Sequence, residues 1–283
     1  MNLKDNIKKK EIITITGSVI CFFLFVLSTK YTGINLDYIV NFQNYLIKFM
    51  MIGASKMTME TALLVAVSSF MRILFALVLL VAGFAVLSSY GFLENNRIVG
   101  LIVSLISALF MLVIFGFSIT SIFMSLGLII SCMLIVPLTN TYGKELKRWI
   151  LFRSGSHSIS TALIIFNIMI SLGIFLAISI NTSYYQSSMK ADFSAAMEEI
   201  TMSELSNAGD IPESYRETLN EQVKQKTSDF ISNSPMMQSL IKFLPVTVAF
   251  SAWAFLELLR MLILPNIGGI INYVLIRIKR SRI

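Results

Sequence analysis

Residues 98–138 read IVGLIVSLISALFMLVIFGFSITSIFMSLGLIISCMLIVPL, and none of them carries a charge. As a single helix this stretch would be about 60 Å long at ~1.5 Å per residue, twice the ~30 Å hydrocarbon core of a bilayer. It therefore predicts two membrane spans joined by a tight turn. Small and polar residues gather at Gly116-Phe117-Ser118-Ile119-Thr120-Ser121, which places the turn there. With no charge in it the turn is short, and the two spans are adjacent antiparallel partners. Ser104/Ala108, Ser121/Ser125 and Gly127/Ser131 have the small-xxx-small spacing that lets membrane helices approach closely.

Composition extends this reading to the whole chain. Of 283 residues, 55% are apolar and 14% charged, against ~25% charged in a soluble domain. Mean hydropathy is +0.76. Several bilayer-length apolar runs account for such a deficit of charge, whereas one water-soluble core does not. The net charge of +7 lies largely beside those runs, where it reads as an orientation signal and as contact with anionic headgroups. No basic stripe interleaved with aromatics points to nucleic acid. Cys21 and Cys132 both sit deep in apolar runs and read as small buried hydrophobes rather than a disulfide framework.

Towards the N-terminus, Lys4, Lys8, Lys9 and Lys10 precede a first span at Ile12–Thr29. Its apolar part is long for a signal peptide and no small-residue cleavage site follows, so it reads as a retained span. Between 34 and 58, Ile39, Phe42, Leu46, Phe49 and Met50 form a helical stripe opposite Asn41, Gln43, Asn44 and Lys48. That pattern predicts an amphipathic helix on the outer surface or against the bundle. Thr61–Leu93 holds one ionisable residue, Arg72, and overshoots the bilayer by about 20 Å. If the span is Ile73–Leu93, Arg72 snorkels to the interface; if it begins near Ala62, Arg72 lies mid-bilayer and needs a partner. The first placement is preferred because it leaves no buried charge.

Towards the C-terminus, Pro137 closes the fourth span, and a basic loop carries Lys144, Lys147, Arg148, Trp149 and Arg153. Cations beside Trp149, Ile150, Leu151 and Phe152 read as a segment lying on anionic headgroups, or as a docking surface for a partner. The fifth span is Ile159–Ile180, and a last span runs from Phe243 to Leu264, where Pro265-Asn266-Ile267-Gly268-Gly269 predicts a break before a short basic tail. Between them, 182–242 is hydrophilic. Met189, Phe193, Met197, Ile200 and Leu205 form one stripe; Asp210-Ile211-Pro212-Glu213 starts a second helix bearing Tyr215, Leu219, Val223 and Phe230. This predicts a helical hairpin outside the membrane. The strongly basic short flanks are the N-terminal lysines, Arg97, the 144–153 loop and Arg277, Lys279, Arg280 and Arg282. All fall on one side only if the span count is even, which predicts both ends in the cytoplasm.

Ionisable residues within spans are functional candidates because they are costly there. These are Arg72, Glu257 and Arg260, with Asn167 as a further polar candidate. Glu257 and Arg260 share a helix face at i and i+3 and can pair; counted from Phe243 they lie about 21 and 25 Å along the span. Arg72, if buried, could pair with Glu257. Asn167 and Ser171 read as interhelical hydrogen-bonding groups. The lone histidine, His157, is placed in the inner loop, and no HExxH, phosphate loop or paired intramembrane aspartates occur. No catalytic residue, metal ligand or cofactor is expected.

The sequence thus predicts an all-α polytopic transmembrane bundle of about six spans in the cell membrane. Residues 1–181 carry spans one to five, 182–242 the extracytoplasmic hairpin, and 243–283 the last span and a basic tail. The expected role is non-catalytic, as a scaffold, assembly or accessory subunit, the alternative being a transport component. Partners are the bilayer, anionic lipids, and a second copy or another membrane protein.

Overall fold

The computed structural model describes residues 3–33, 56–94, 96–191, 194, 221–222, 225–226, 228–230 and 232–281, and no strand occurs among them. The helices are α1 (Leu3–Tyr31), α2 (Lys56–Leu93), α3 (Arg97–Phe115), α4 (Ile119–Glu145), α5 (Ile150–Ile180), α6 (Pro235–Lys242), α7 (Leu244–Leu262) and α8 (Leu264–Ser281). Six are long and apolar enough to cross a membrane: α1 from Lys10, α2 from Phe70, and all of α3, α4, α5 and α7. The chain is an all-α polytopic membrane bundle.

It divides into two compact units. One comprises 1–35, 68–174 and 251–283; the other comprises 36–67 and 175–250.

In the first unit α2 is central. Its Leu80, Val81, Phe84, Ala85, Leu87 and Ser88 are fully buried, so one broad face of the helix is turned to protein, while Val78, Leu79, Ala82 and Val86 on the other side are half-buried. Lipid supplies little drive for helix association, so close packing must hold the bundle. Edge-to-face pairs Phe22–Phe84 (5.4 Å) and Phe25–Phe166 (6.2 Å) join α1 to α2 and α5. Each such pair contributes ~0.5–1.5 kcal/mol beyond area burial. Two glycines bring backbones together against α4. A Cβ at Gly91 would stand 2.6 Å from the Val136 carbonyl oxygen, and one at Gly100 would stand 2.7 Å from that of Cys132.

The predicted hairpin is present. Gly116 adopts φ +76°, a conformation that favours glycine, and ends α3. Ser118 then caps α4: its Oγ accepts from the Ser121 amide (3.1 Å), while its own amide donates to Ser121 Oγ (3.0 Å). At the same end Lys30 donates to the carbonyl of Ile114 in the last turn of α3 (2.6 Å). The small residues serve a different neighbour from the one expected of a hairpin. Gly127 packs on Phe166 and Met169, and Ser131 donates to the Ala162 carbonyl (2.8 Å), so both face α5.

The opposite end of this unit gathers the chain's two ends. Glu11 of α1 accepts from Tyr90 (3.1 Å) and from Asn96 (2.9 Å), while Asn96 Oδ1 caps α3 through the Ile98 amide. Lys10 pairs with Glu94 at 3.7 Å. From α8, Lys279 donates to Ser89 (3.1 Å) and Arg280 lies over the Phe92 ring.

The expected tail is instead helical. A single turn residue, Ile263, separates α7 from α8, and Pro265 sits in the first turn of α8, where its missing N–H costs least. Phe70 meets Phe255, a Cβ at Gly268 would stand 3.0 Å from Val81, and Lys279 reaches Ser89. The second half of α7 and then α8 therefore follow α2 in the same direction.

The second unit holds the end of α5, a helix over 182–191, α6 and the start of α7. Pro245 cannot donate to the Ile241 carbonyl one turn back. Gln186 Nε2 donates to that carbonyl at 3.0 Å and satisfies it. Tyr185, Met189, Ile241, Leu244 and Val248 are buried around this contact.

Several expectations are corrected. Residues 56–58 belong to α2 rather than to a separate amphipathic helix, and the rest of that stripe, 34–55, lies outside the described residues. The same holds for most of the 182–242 hairpin. The basic loop is shorter than expected, 146–149, because the fifth membrane helix begins at Ile150 and not Ile159. His157 consequently lies on α5, exposed and 5.6 Å from the Tyr142 ring. The Ser171 hydroxyl donates to the Asn167 carbonyl of its own helix (2.8 Å), and no bond from it to another helix occurs among the described residues.

Candidate functional site

Two sets of candidate residues fall in the first unit. The basic set lies where α4 ends and α5 begins. Leu146 is extended and caps α4 through its amide to Tyr142, and Trp149 then turns the chain with φ +54°. A tryptophan in the left-handed region costs on the order of 1–2 kcal/mol, so the turn holds it against its preference. Its carbonyl accepts from Phe152 and Arg153, which starts α5. Lys144, Lys147, Arg148, Trp149 and Arg153 are all exposed, as expected, with Trp149 at 78%.

Sequence reasoning missed the other wall of this site. Asn272 of α8 is fully buried and donates to the Leu151 carbonyl (2.6 Å), and a Cβ at Gly155 would strike it at 2.5 Å. Gly269 admits Phe152 in the same way. Trp149, Phe152, Arg153, Ile270 and Tyr273 thus line a groove of about 550 Å3. Arg277 donates to the Tyr273 hydroxyl (3.2 Å) and adds a second guanidinium. The available signal was the spacing of Leu264, Gly268, Asn272 and Ile276, a buried stripe on a helix that ends in Arg277, Lys279 and Arg280.

The intramembrane set converges in part. Arg260 binds Glu257 through two nitrogens, Nε at 2.9 Å and Nη2. Both side chains are 14% exposed. Arg260 Nη1 donates to Ser160 of α5 at 2.5 Å. Asn167, 2% exposed, lies beside Glu257. Contacts 257-to-167 and 260-to-160 mean that α5 and α7 run antiparallel here. Arg72 does not join them. It is exposed, three residues into the apolar part of α2, with no hydrogen bond or ion pair among the described residues.

A second polar cluster was not foreseen. The Thr139 hydroxyl lies 3.0 Å from that of Ser88, 2.8 Å from that of Ser158 and 2.7 Å from the Ile135 carbonyl, all fully buried, and joins α2, α4 and α5. Its hydroxyls satisfy one another, which is how polar groups persist in a dry interior.

Fold and site together define a multi-pass α-helical membrane protein with a basic, aromatic groove at one end and a paired charge cluster inside. No family model, no curated protein and no solved structure matches this chain.

Proposed function

We propose that this chain is a non-catalytic protein of the cell membrane, a scaffold or assembly subunit, with both ends in the cytoplasm and its basic end among anionic headgroups. The observation that carries the reading is the closed Glu257–Arg260–Ser160 cluster. Its charges are engaged by each other and by α5, so they fasten two helices instead of lining an open path. The basic groups of 144–153 remain exposed and able to contact lipid or a partner. A cytoplasmic location for this end follows from the preference of lysine and arginine for that face. The 182–242 segment then lies on the outer face, where it is the candidate contact for another membrane protein or a second copy.

A transport component is the second reading, favoured by the buried amide of Asn167 beside the ion pair. Reconstitution separates the two. Purified protein in liposomes is expected to give no ion flux above empty vesicles, and mild-detergent preparations to retain a partner that is lost when 195–220 is replaced by a Gly/Ser linker. Flux that disappears with Glu257→Gln would establish transport and overturn the scaffold reading.

A further inference from the structure

We propose that the groove between α8 and the first turn of α5 seats a single anionic diacyl phospholipid. This rests on the reading above that places the basic end at headgroup level. The groove, about 550 Å3, is within the ~300–1,000 Å3 range of small-molecule sites. Its two kinds of lining are separated as a phospholipid requires. Phe152, Ile270 and Tyr273 form an apolar bed, made possible by Gly269, which lets the Phe152 ring lie against the α8 backbone. Arg153 stands beside this bed with an exposed guanidinium, and Arg277 is held nearby through Tyr273. An arginine fork suits a phosphate better than a lysine does.

Trp149 completes the seat. Left-handed backbone fixes it at the groove, exposed, as an amphipathic ring that belongs at the headgroup boundary. Its carbonyl takes the Phe152 and Arg153 amides, but tryptophan offers no side-chain oxygen to cap the positive end of α5, which favours an anion nearby. Lys147 and Arg148, both exposed, immediately precede Trp149, and Glu145 is the one acid between Gly143 and Arg153. A zwitterionic headgroup would bring its own cation into this field, whereas an anionic one would not. A soluble phosphate ester would leave Phe152 and Ile270 uncovered, which is why the occupant is a diacyl lipid.

Trp149 and Trp253 are the chain's two tryptophans, so Trp253→Phe leaves Trp149 as the sole reporter. The Trp253→Phe protein in phosphatidylcholine nanodiscs is titrated with lipids brominated on their acyl chains, which quench the indole. Brominated phosphatidylglycerol is expected to half-quench at about one-tenth the mole fraction needed by brominated phosphatidylcholine, a ratio equivalent to ~1.4 kcal/mol. Arg153→Gln should bring the ratio close to one without lowering the melting temperature. Equal quenching by the two lipids in the Trp253→Phe protein overturns the proposal. Displacement by glycerol 3-phosphate as effective as by unbrominated phosphatidylglycerol overturns the diacyl occupant. A protein without selectivity that still retains its partner and shows no flux refutes this site alone and leaves the scaffold reading standing.

Discussion

Glu257 and Arg260 were legible as a pair because i, i+3 spacing on a helix leaves little choice of partner. Ser160 and Asn167, which complete the cluster, were not, since nothing in the sequence says which apolar helix lies alongside α7. Arg72 shows the converse: its spacing could not decide between exposure and burial, and the fold leaves it exposed. Lys279 went unremarked as one cation in a basic tail, yet it is held below the ordinary lysine value of 10.5. Burial is the main cause and the charge of Lys10 adds to it, while Glu94 opposes both. The sign follows directly. A lowered value means that folded protein binds fewer protons here than unfolded chain, so stability rises with pH as Lys279 loses its proton, up to about 10.5. Lys279→Met removes the buried charge and keeps the stem packed. Its melting temperature should equal or exceed the parent's at pH 7, with the gap narrowing towards pH 10. A gap that widens with pH would rule out this account.

Among the elements, the 116–118 turn was found from sequence because polarity and glycine interrupt an otherwise uniform run. Helix ends were harder wherever apolar composition crosses them. Charges at Lys144–Arg153 suggested a loop, but a charged residue in a first turn does not stop a helix, and α5 starts at Ile150. Pro265-Asn266-Ile267-Gly268-Gly269 suggested a break, and its proline does start a new helix. The two glycines, however, are sites of close packing inside α8, a tertiary fact that local propensity cannot reveal. The same logic gives a test at Gly100. Gly100→Leu forces a side chain into the Cys132 carbonyl and should destabilise the α3–α4 hairpin by ~1–3 kcal/mol. Val113→Ala, on the 69% exposed face of α3, should change stability by less than ~0.5 kcal/mol. Thermal unfolding in one detergent checks both. If Gly100→Leu melts with the parent, the close approach of the two backbones is wrong.

For the whole molecule, the span count was the most readable feature, since bilayer thickness converts run length directly into number. Orientation rests on charge bias, and it can be tested by single cysteines at 118, 150 and 215 in a chain lacking Cys21 and Cys132. Positions 118 and 215 should react with an impermeant maleimide from outside cells, and 150 only after permeabilisation. Reaction of 150 and 215 from the same side would break the topology. The meeting of α1, α2 and α8 at one end has a further consequence, for the order in which the protein is made. Lys10 and Glu94 can pair as soon as α2 is inserted, but Lys279 and Arg280 come only with α8, after α2, which carries both of their partners. This end of the first unit therefore closes only when α8 docks. Until then the Gly155 notch and the Ser89 end stand open.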